Sequence, residues 1–361
     1  MTSDILFEEH GPWGVIRLNR PKALNAITRE MGAEMDEQLT VWAGRNDIRA
    51  VMIEGEGDRA FCAGGDIRWL HDVGRTDPAE ATTFFRTEYT MNARIAAFPK
   101  PYVALMDGIV MGGGVGLSAM ASHRVVTDRT LWAMPECGIG LMPDVGSSYF
   151  LRRLGAVGYY LGLVGARLTA ADCLSIGLGT THVEADGLTD LRHALLIDPL
   201  EGDAHASVDE VLRRAQSAPP EAALDNDRQD IERLFTDIPS IEILLDRLEK
   251  DKSELAQRAL ASLRVTSPTS QKLTLALFNG APEPFNDCIA REYCAAAHLM
   301  ASHDFHEGVR AQIVDKDKSP RWSPKDWSAV TDELIDTYFD IPPGGPLNLS
   351  SIDKMGQRGA R

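Results

Sequence analysis

The chain has 361 residues, 44% hydrophobic and 25% charged, a balance that supplies one large core or two smaller ones. Its formal net charge of −16 argues against nucleic acid or an anionic membrane as partner, because both are bound by clustered Lys and Arg; a few local basic residues could still hold a small anion. No run of about 18 uninterrupted apolar residues is present, and the acidic start "MTSDILFEEHGPWG" lacks the character of a signal peptide, so a cytoplasmic protein is expected.

The first 185 residues alternate strand and helix. "WGVIRLNR" (13–20) reads as a strand, and Met31, Met35, Leu39 and Trp42 fall at three- and four-residue spacing, which predicts a helix over 29–43. "RAVMIEGEG" (49–57) and "PYVALMDGIV" (101–110) read as strands, and 123–135 as a β-rich run, so an α/β layered core is expected. Helical spacing then dominates. A helix is predicted to start at Pro219–Pro220, and further stretches cover 239–263, 267–280 and 285–300; Ser267 before Pro268 and the later Gly280 mark a start and a stop. The Pro-, Gly- and Ser-rich stretch 341–361 is expected to form a flexible tail.

Two segments share one design, an apolar strand ending in glycine with a helix behind it: "RAFCAGGDIRWL" (59–70) and "MGGGVGLSAM" (111–120). Removing side chains there lets a ligand approach the backbone, and the helix start offers unpaired N–H groups. Neither run has dinucleotide or P-loop spacing. If the two bends met, their amides could stabilise an oxyanion; if not, the glycines serve tight packing. Glu136 and Asp144 each follow a proline in a glycine-rich stretch, which places them on turns, with a helix-capping role as the alternative for Asp144. Glu88, in the helical run 79–98, reads from the residues alone as solvated. The five cysteines (Cys62, Cys137, Cys173, Cys288, Cys294) are scattered without metal-ligand spacing and are expected to be small buried hydrophobes. The nine histidines form no cluster, so no metal is expected.

"FCAGGDIRWL" (61–70), "PYVALMDGIVMGGGVGLSAM" (101–120) and "WAMPECGIGLMPDVGSSYFL" (132–151), with "LNRPKALNAI" (18–27) and "RLTAADCLSIGLGTTHV" (167–183), together resemble the crotonase, or enoyl-CoA hydratase/isomerase, superfamily. "FFRTEYTMN" (84–92), "SPTSQKLT" (267–274) and "DFHEGVRAQIVDKDKSPRW" (304–322) bring the likeness nearest to its 3-hydroxyisobutyryl-CoA hydrolase branch, which acts in valine breakdown. The resemblance implies a crotonase-like (ClpP/crotonase) spiral of ββα units over residues 1–200 that binds acyl-CoA, and a helical C-terminal region over 201–340. It implies that the amides of Gly65 and Gly113 form an oxyanion hole for a thioester carbonyl. Hydratases carry one of their two glutamates where this chain has Gly116 and the other at Glu136. In the hydrolase branch the positions of Glu136 and Asp144 form the catalytic pair, and that of Glu88 contacts substrate. Coenzyme A would lie along Lys22, Ala23, Leu24, Ala63, Asp66 and Ile67, with Arg20 and Lys22 supplying charge for its phosphates, although Asp66 by its place also reads as the cap of a helix starting at Ile67. No cofactor beyond the acyl-CoA substrate is implied. Many members trimerise through terminal helices, so a homo-oligomer is one expectation, set against a C-terminus long enough to cover that surface. The rival readings are an enoyl-CoA hydratase or isomerase working with Glu136, and a non-catalytic acyl-CoA binder.

Overall fold

A computed structural model describes residues 3–352. Strands β1 (Ile5–His10) and β2 (Trp13–Leu18) form an antiparallel hairpin, after which the chain repeats one pattern. Strand β3 (Ala50–Gly55) joins a large sheet and β4 (Ala60–Cys62) a small one; β5 (Tyr102–Met106) and β6 (Ile109–Met111), then β7 (His123–Val126) and β8 (Leu131–Ala133), do the same. The large sheet has the order β1-β2-β3-β5-β7-β9, with β9 at Thr181–His182, and the small sheet the order β4-β6-β8; every pairing after the hairpin is parallel. Helices α1 (Arg29–Gly44), α2 (Ile67–Gly74), α3 (Pro78–Ala96) and α4 (Gly113–Ser118) make the crossovers. The result is a spiral of repeated strand, strand and helix, as the resemblance implies.

The run 101–110, read as one strand, is therefore two strands in different sheets. They part at Asp107, whose carboxylate accepts from Thr127 Oγ1 (2.6 Å) and Arg129 Nε (3.0 Å) in the next turn of the spiral. Both faces of the large sheet are buried, which is why its strands read as continuous apolar runs. Ile16, Val51, Ile53 and Ala104 face the main core; Val15, Met52, Val103 and Val125 point the other way, under α8 (Leu188–Ile197) and α9 (Ala204–Ala215). Between β8 and β9 the chain forms α5 (Ser147–Phe150), α6 (Ala156–Val164) and α7 (Ala170–Ser175).

The remainder is helical: α10 (Leu224–Phe235), α11 (Ile241–Lys250), α12 (Glu254–Leu263), α13 (Pro268–Asn279), α14 (Phe285–Leu299), α15 (His303–Val309) and α16 (Asp332–Thr337). Two boundaries differ from expectation. The helix placed at Pro219–Pro220 begins at Leu224, and the stretch 239–263 breaks at Asp251, which is held by Arg233, so that Ser253 starts α12 by accepting from Ala256 N (3.2 Å). Ser267 caps α13 and Gly280 ends it, as the sequence predicts. Helix α14 lies along α3, and its buried residues join the same core as the spiral.

Residues 341–352, expected to begin a flexible tail, are docked instead. Leu347, Leu349 and Ile352 are buried in the main core. Arg86 of α3 donates to the carbonyls of Gly344 (2.8 Å), Gly345 (2.9 Å) and Pro346 (2.9 Å) and to the Tyr293 hydroxyl (2.6 Å). A composition poor in regular structure is fixed by a single guanidinium and three apolar anchors. The rest of the expected tail, 353–361, lies outside the described residues. Arg86→Ala leaves these carbonyls without their donor and is expected to loosen 341–352 by about 1–3 kcal/mol. Hydrogen exchange should show faster exchange in that segment while the strands keep their protection.

Candidate active site

Strands β4, β6 and β8 are parallel neighbours, with Cys62 opposite Val110 and Met111 opposite Ala133, so their carboxyl ends fall together. From β4 the chain runs through Ala63, Gly64 and Gly65 into α2. Ile27 pins this run from one side: its N–H donates to the Gly64 carbonyl (2.9 Å) and its carbonyl accepts from Asp66 N (2.8 Å). The Gly65 amide between them meets no acceptor among the described residues. From β6 the chain turns at Gly112 (φ +49°) and starts α4, where the Gly113 amide, in the first turn, has no partner within the helix.

The two bends are in contact. A Cβ on Gly113 would lie 3.2 Å from Gly65 N and would overlap Glu88 Oε1, and one on Gly64 would lie 3.7 Å from Gly113 N. Glycine is required here by close approach; behind it, a Cβ on Gly114 would overlap the Cys62 carbonyl. From β8 the chain passes Pro135 into a short helical turn, Glu136–Ile139, and Glu136 Oε1 lies 3.3 Å from where a Gly112 Cβ would be. Helix α3 supplies Glu88 and Tyr89, and the Tyr89 hydroxyl donates to Asp144 Oδ2 (2.6 Å). Gly65, Gly113, Glu88, Glu136 and Asp144 line one cavity of about 180 Å³, whose other walls include Phe84 and Leu141.

Three carboxyl groups thus share an apolar space. Glu88, Glu136 and Asp144 are 3%, 5% and 4% exposed, and no ion pair among the described residues reaches any of them. Burial, and after it the charge of Asp144, holds Glu88 and Glu136 well above the usual carboxylate range. Burial also raises Asp144, to about 6, against the lowering effect of the Tyr89 hydrogen bond. Glu88 Oε1 and Glu136 Oε2 have no hydrogen-bond partner among the described residues, a costly state that leaves both free to bind a ligand.

Two readings made from the residues alone change. Glu88 is buried in the cavity, not solvated, because α3 is covered on that side by the glycine bends. Asp144 does not cap α5: Gly146 occupies that position, and no side chain caps the helix. Asp66 does cap α2, accepting from Trp69 N (3.2 Å). Ala63 and Ile67 line the cavity. Lys22 and Ala23, exposed on the turn Pro21–Ala23, and Leu24 stand outside it; the Leu24 carbonyl accepts from Ala63 N (3.0 Å), which ties their loop to the first glycine run. The positive charge expected from Arg20 is spent inside the protein on Asp66 Oδ2 (3.0 Å), Asp4 and the Ala26 carbonyl (2.6 Å).

The sequence reading missed Tyr89, Asn92 and Glu292. Neither polar side-chain atom of the buried Asn92 meets a partner among the described residues. Glu292 lies between Ile289 and Ala296 on the buried side of α14; an acid at apolar helical spacing is the signal that could have found it. Cys62, beside the glycine bend, is buried with its thiol raised to about 12. Among the described residues no three His, Cys, Asp or Glu side chains gather as a metal site, and no helix is long and apolar enough to cross a membrane.

Residues 13–339 match the enoyl-CoA hydratase/isomerase family model. The chain belongs to that family. It is 42% identical over 342 residues to a mitochondrial 3-hydroxyisobutyryl-CoA hydrolase of Danio rerio, covering 93% of this chain and 89% of the relative, and 40% identical over 345 residues to the Homo sapiens protein of the same name, covering 93% and 88%. Among solved structures, an enoyl-CoA hydratase from Rhodobacter sphaeroides 2.4.1 superposes with a TM-score of 0.87 at 40% identity, covering 96% of this chain and all of the other. A carnitinyl-CoA dehydratase from Mycobacterium thermoresistibile gives 0.89 at 35%, covering 96% and 99%. Family members thus carry the names of a hydrolase, a hydratase and a dehydratase. The cytoplasmic expectation is overturned by these curated relatives, which are named as mitochondrial proteins.

Burying Glu136 with a raised pKa costs stability. The folded chain keeps a proton that the unfolded chain gives up above about pH 4, so stability falls as pH rises from there toward the folded value. Glu136→Gln is therefore expected to unfold at a higher temperature than the native chain at pH 7–8, with the difference shrinking toward about pH 4, as scanning calorimetry would show.

Proposed function

We propose that this chain hydrolyses the thioester of 3-hydroxyisobutyryl-CoA, or of a similarly short 3-hydroxyacyl-CoA, to coenzyme A and the free hydroxy acid, a step of valine degradation. The observation that carries the reading is the approach of two unpartnered amides, Gly65 and Gly113, to three buried carboxyls in one cavity. The names of the curated relatives support the substrate.

In this reading the thioester oxygen accepts from both amides, and the helix dipole of α4 adds to the field at the second. Two balanced routes use the acids. In one, neutral Glu136 adds to the thioester carbon through its carboxyl oxygen and its proton leaves on the coenzyme A sulfur; water then opens the mixed anhydride, with Asp144 taking a proton from the water and returning it to the released carboxyl. In the other, ionised Asp144 takes a proton from a water that attacks the carbon directly, Glu136 gives its proton to the departing sulfur, and the proton on Asp144 then passes to Glu136, which restores both acids. After turnover in ¹⁸O-water, label in the peptide containing Glu136 identifies the anhydride route, since only water attack on the Glu136 carbonyl carbon of an anhydride leaves label in the protein. Glu88 accepts a hydrogen bond from the substrate hydroxyl. Coenzyme A runs past Ala63 and Ile67 toward the loop Lys22–Leu24, with Lys22 near its phosphates. Asp66 supports this path as the cap of α2. The reaction as written consumes only substrate and water.

The hydratase rival lacks room for its second acid. A Cβ on Gly116 would lie 2.8 Å from both Asn92 Nδ2 and Val145 Cβ, so no longer side chain fits there. Loss of enoyl absorbance from crotonyl-CoA without thiol release would favour that rival. The expected result is thiol release from 3-hydroxyisobutyryl-CoA, slowed about 100-fold or more by Glu136→Gln; no thiol release by the native chain would reject the proposal.

Two refinements test the roles. With Asp144 needed as a carboxylate, kcat/KM is expected to rise with pH through about 6, and Asp144→Asn should remove this acidic limb. With Glu88 pairing the hydroxyl, Glu88→Ala should shrink the preference for 3-hydroxyisobutyryl-CoA over isobutyryl-CoA by about tenfold or more, measured as the ratio of kcat/KM values.

A further inference from the structure

The bend that follows Asp144 is held in an uncommon shape. Val145 has φ +53° and Gly146 φ +91°, two left-handed residues in succession. For a β-branched residue that conformation is strained and persists only where its surroundings over-determine it. Ser147 N donates to the Asp144 carbonyl (2.9 Å), and Ser147 Oγ to the Pro143 carbonyl (2.7 Å), which closes the bend on itself. Val145 packs against Gly116 of α4, and the amides of Tyr149 and Phe150 donate to the Gly146 carbonyl; the remaining contacts come from α14, well over a hundred residues later in the chain. The Phe285 ring fills the space where a Gly146 side chain would be, and Glu292 reaches in from the same helix.

Glu292 is fully buried and belongs to no ion pair among the described residues. Its Oε2 accepts from Gly146 N (2.6 Å); its Oε1 accepts from Ser148 N (2.8 Å) and from Ser148 Oγ (2.5 Å). All of its donors belong to the bend, and it does not line the cavity. A buried acid whose bonds all go to one backbone turn does its work through that turn.

We propose that Glu292 is a positioning residue: by clamping the amides of Gly146 and Ser148 it keeps the Val145–Gly146 bend in its left-handed shape and so directs the Asp144 carboxyl at Tyr89 and into the cavity. The kinetic consequence rests on the proposed hydrolysis, in which Asp144 moves a proton; the placement of Asp144 does not. In Glu292→Gln the outline of the side chain is kept, but its NH₂ group faces one of the two backbone N–H donors, so one clamp is lost.

The test is a double-mutant cycle on thiol release from 3-hydroxyisobutyryl-CoA, with a crystal structure of Glu292→Gln beside it. Glu292→Gln is expected to lower kcat by about tenfold to a hundredfold with KM changed less than about threefold. In an Asp144→Asn background the same change should lower kcat less than about twofold, because the group it positions is already gone. Losses that multiply in the double variant, or an Asp144→Asn variant as active as the native chain, would overturn the proposal. The crystal structure should show the bend relaxed and the Asp144–Tyr89 contact broken; an unmoved Asp144 also overturns it. If the native chain releases no thiol, the hydrolysis reading fails, and the crystal structure by itself decides whether Glu292 places Asp144. Should Glu292→Gln not fold, Ser148→Ala, which removes only the hydroxyl bond, takes its place in the cycle, with a smaller loss expected and the same criterion of non-additivity.

Discussion

Because β4, β6 and β8 run parallel and side by side, their carboxyl ends share one edge, and the chemical groups of the molecule hang from that edge. β4 and β6 end in glycine bends whose backbones touch; β8 delivers Glu136. The small sheet exists only because each turn of the spiral sends its second strand away from the large sheet, at breaks such as Asp107. Strands of three residues suffice to align three exits, and their side chains Phe61, Cys62, Val110 and Trp132 belong to the same core as the helices.

The acids on that edge are placed where water would not have put them. Three carboxyls line one cavity without an ion-pair partner among the described residues, so the fold resists their ionisation. Tyr89 gives Asp144 a hydrogen bond that opposes the effect of burial, whereas Glu88 and Glu136 each keep one oxygen without a partner among the described residues. Environments that push similar groups apart in acidity are what proton transfer at neutral pH requires. The same arrangement opposes stability, a common trade at functional sites.

Much of this was legible in the sequence, and the division follows physical range. The strands β2 and β3, the helix α1, the glycine runs and the capping of α13 by Ser267 are local signals and lie where the residues said, whereas the break at Asp107 that splits 101–110 into two strands depends on partners in the next turn of the spiral. Glu136 and Asp144 were found through the order of several motifs, since a proline and nearby glycines alone only suggest a turn. Glu88 shows the limit of local reasoning: one acid in a helix of mixed polarity reads as solvated until the bends from β4 and β6 are laid over it. Arg20 shows the reverse, a charge that looked available until Asp4 and Asp66 were brought to it. The docking of 341–352 was hidden because its partners, Arg86 and Tyr293, lie far back in the chain.

That last contact bears on how the protein is made. Arg86 and Gly344 are 258 residues apart, so when α3 leaves the ribosome the carbonyls that will hold its guanidinium are not yet synthesised. Domains assemble from the N-terminal end during translation, and pairings across long separations form late. The helix bearing Glu88 and Tyr89 thus acquires this brace only after residues 344–346 have been made, so a chain stopped before them has all of its cavity acids and lacks the strap on the helix that carries Glu88.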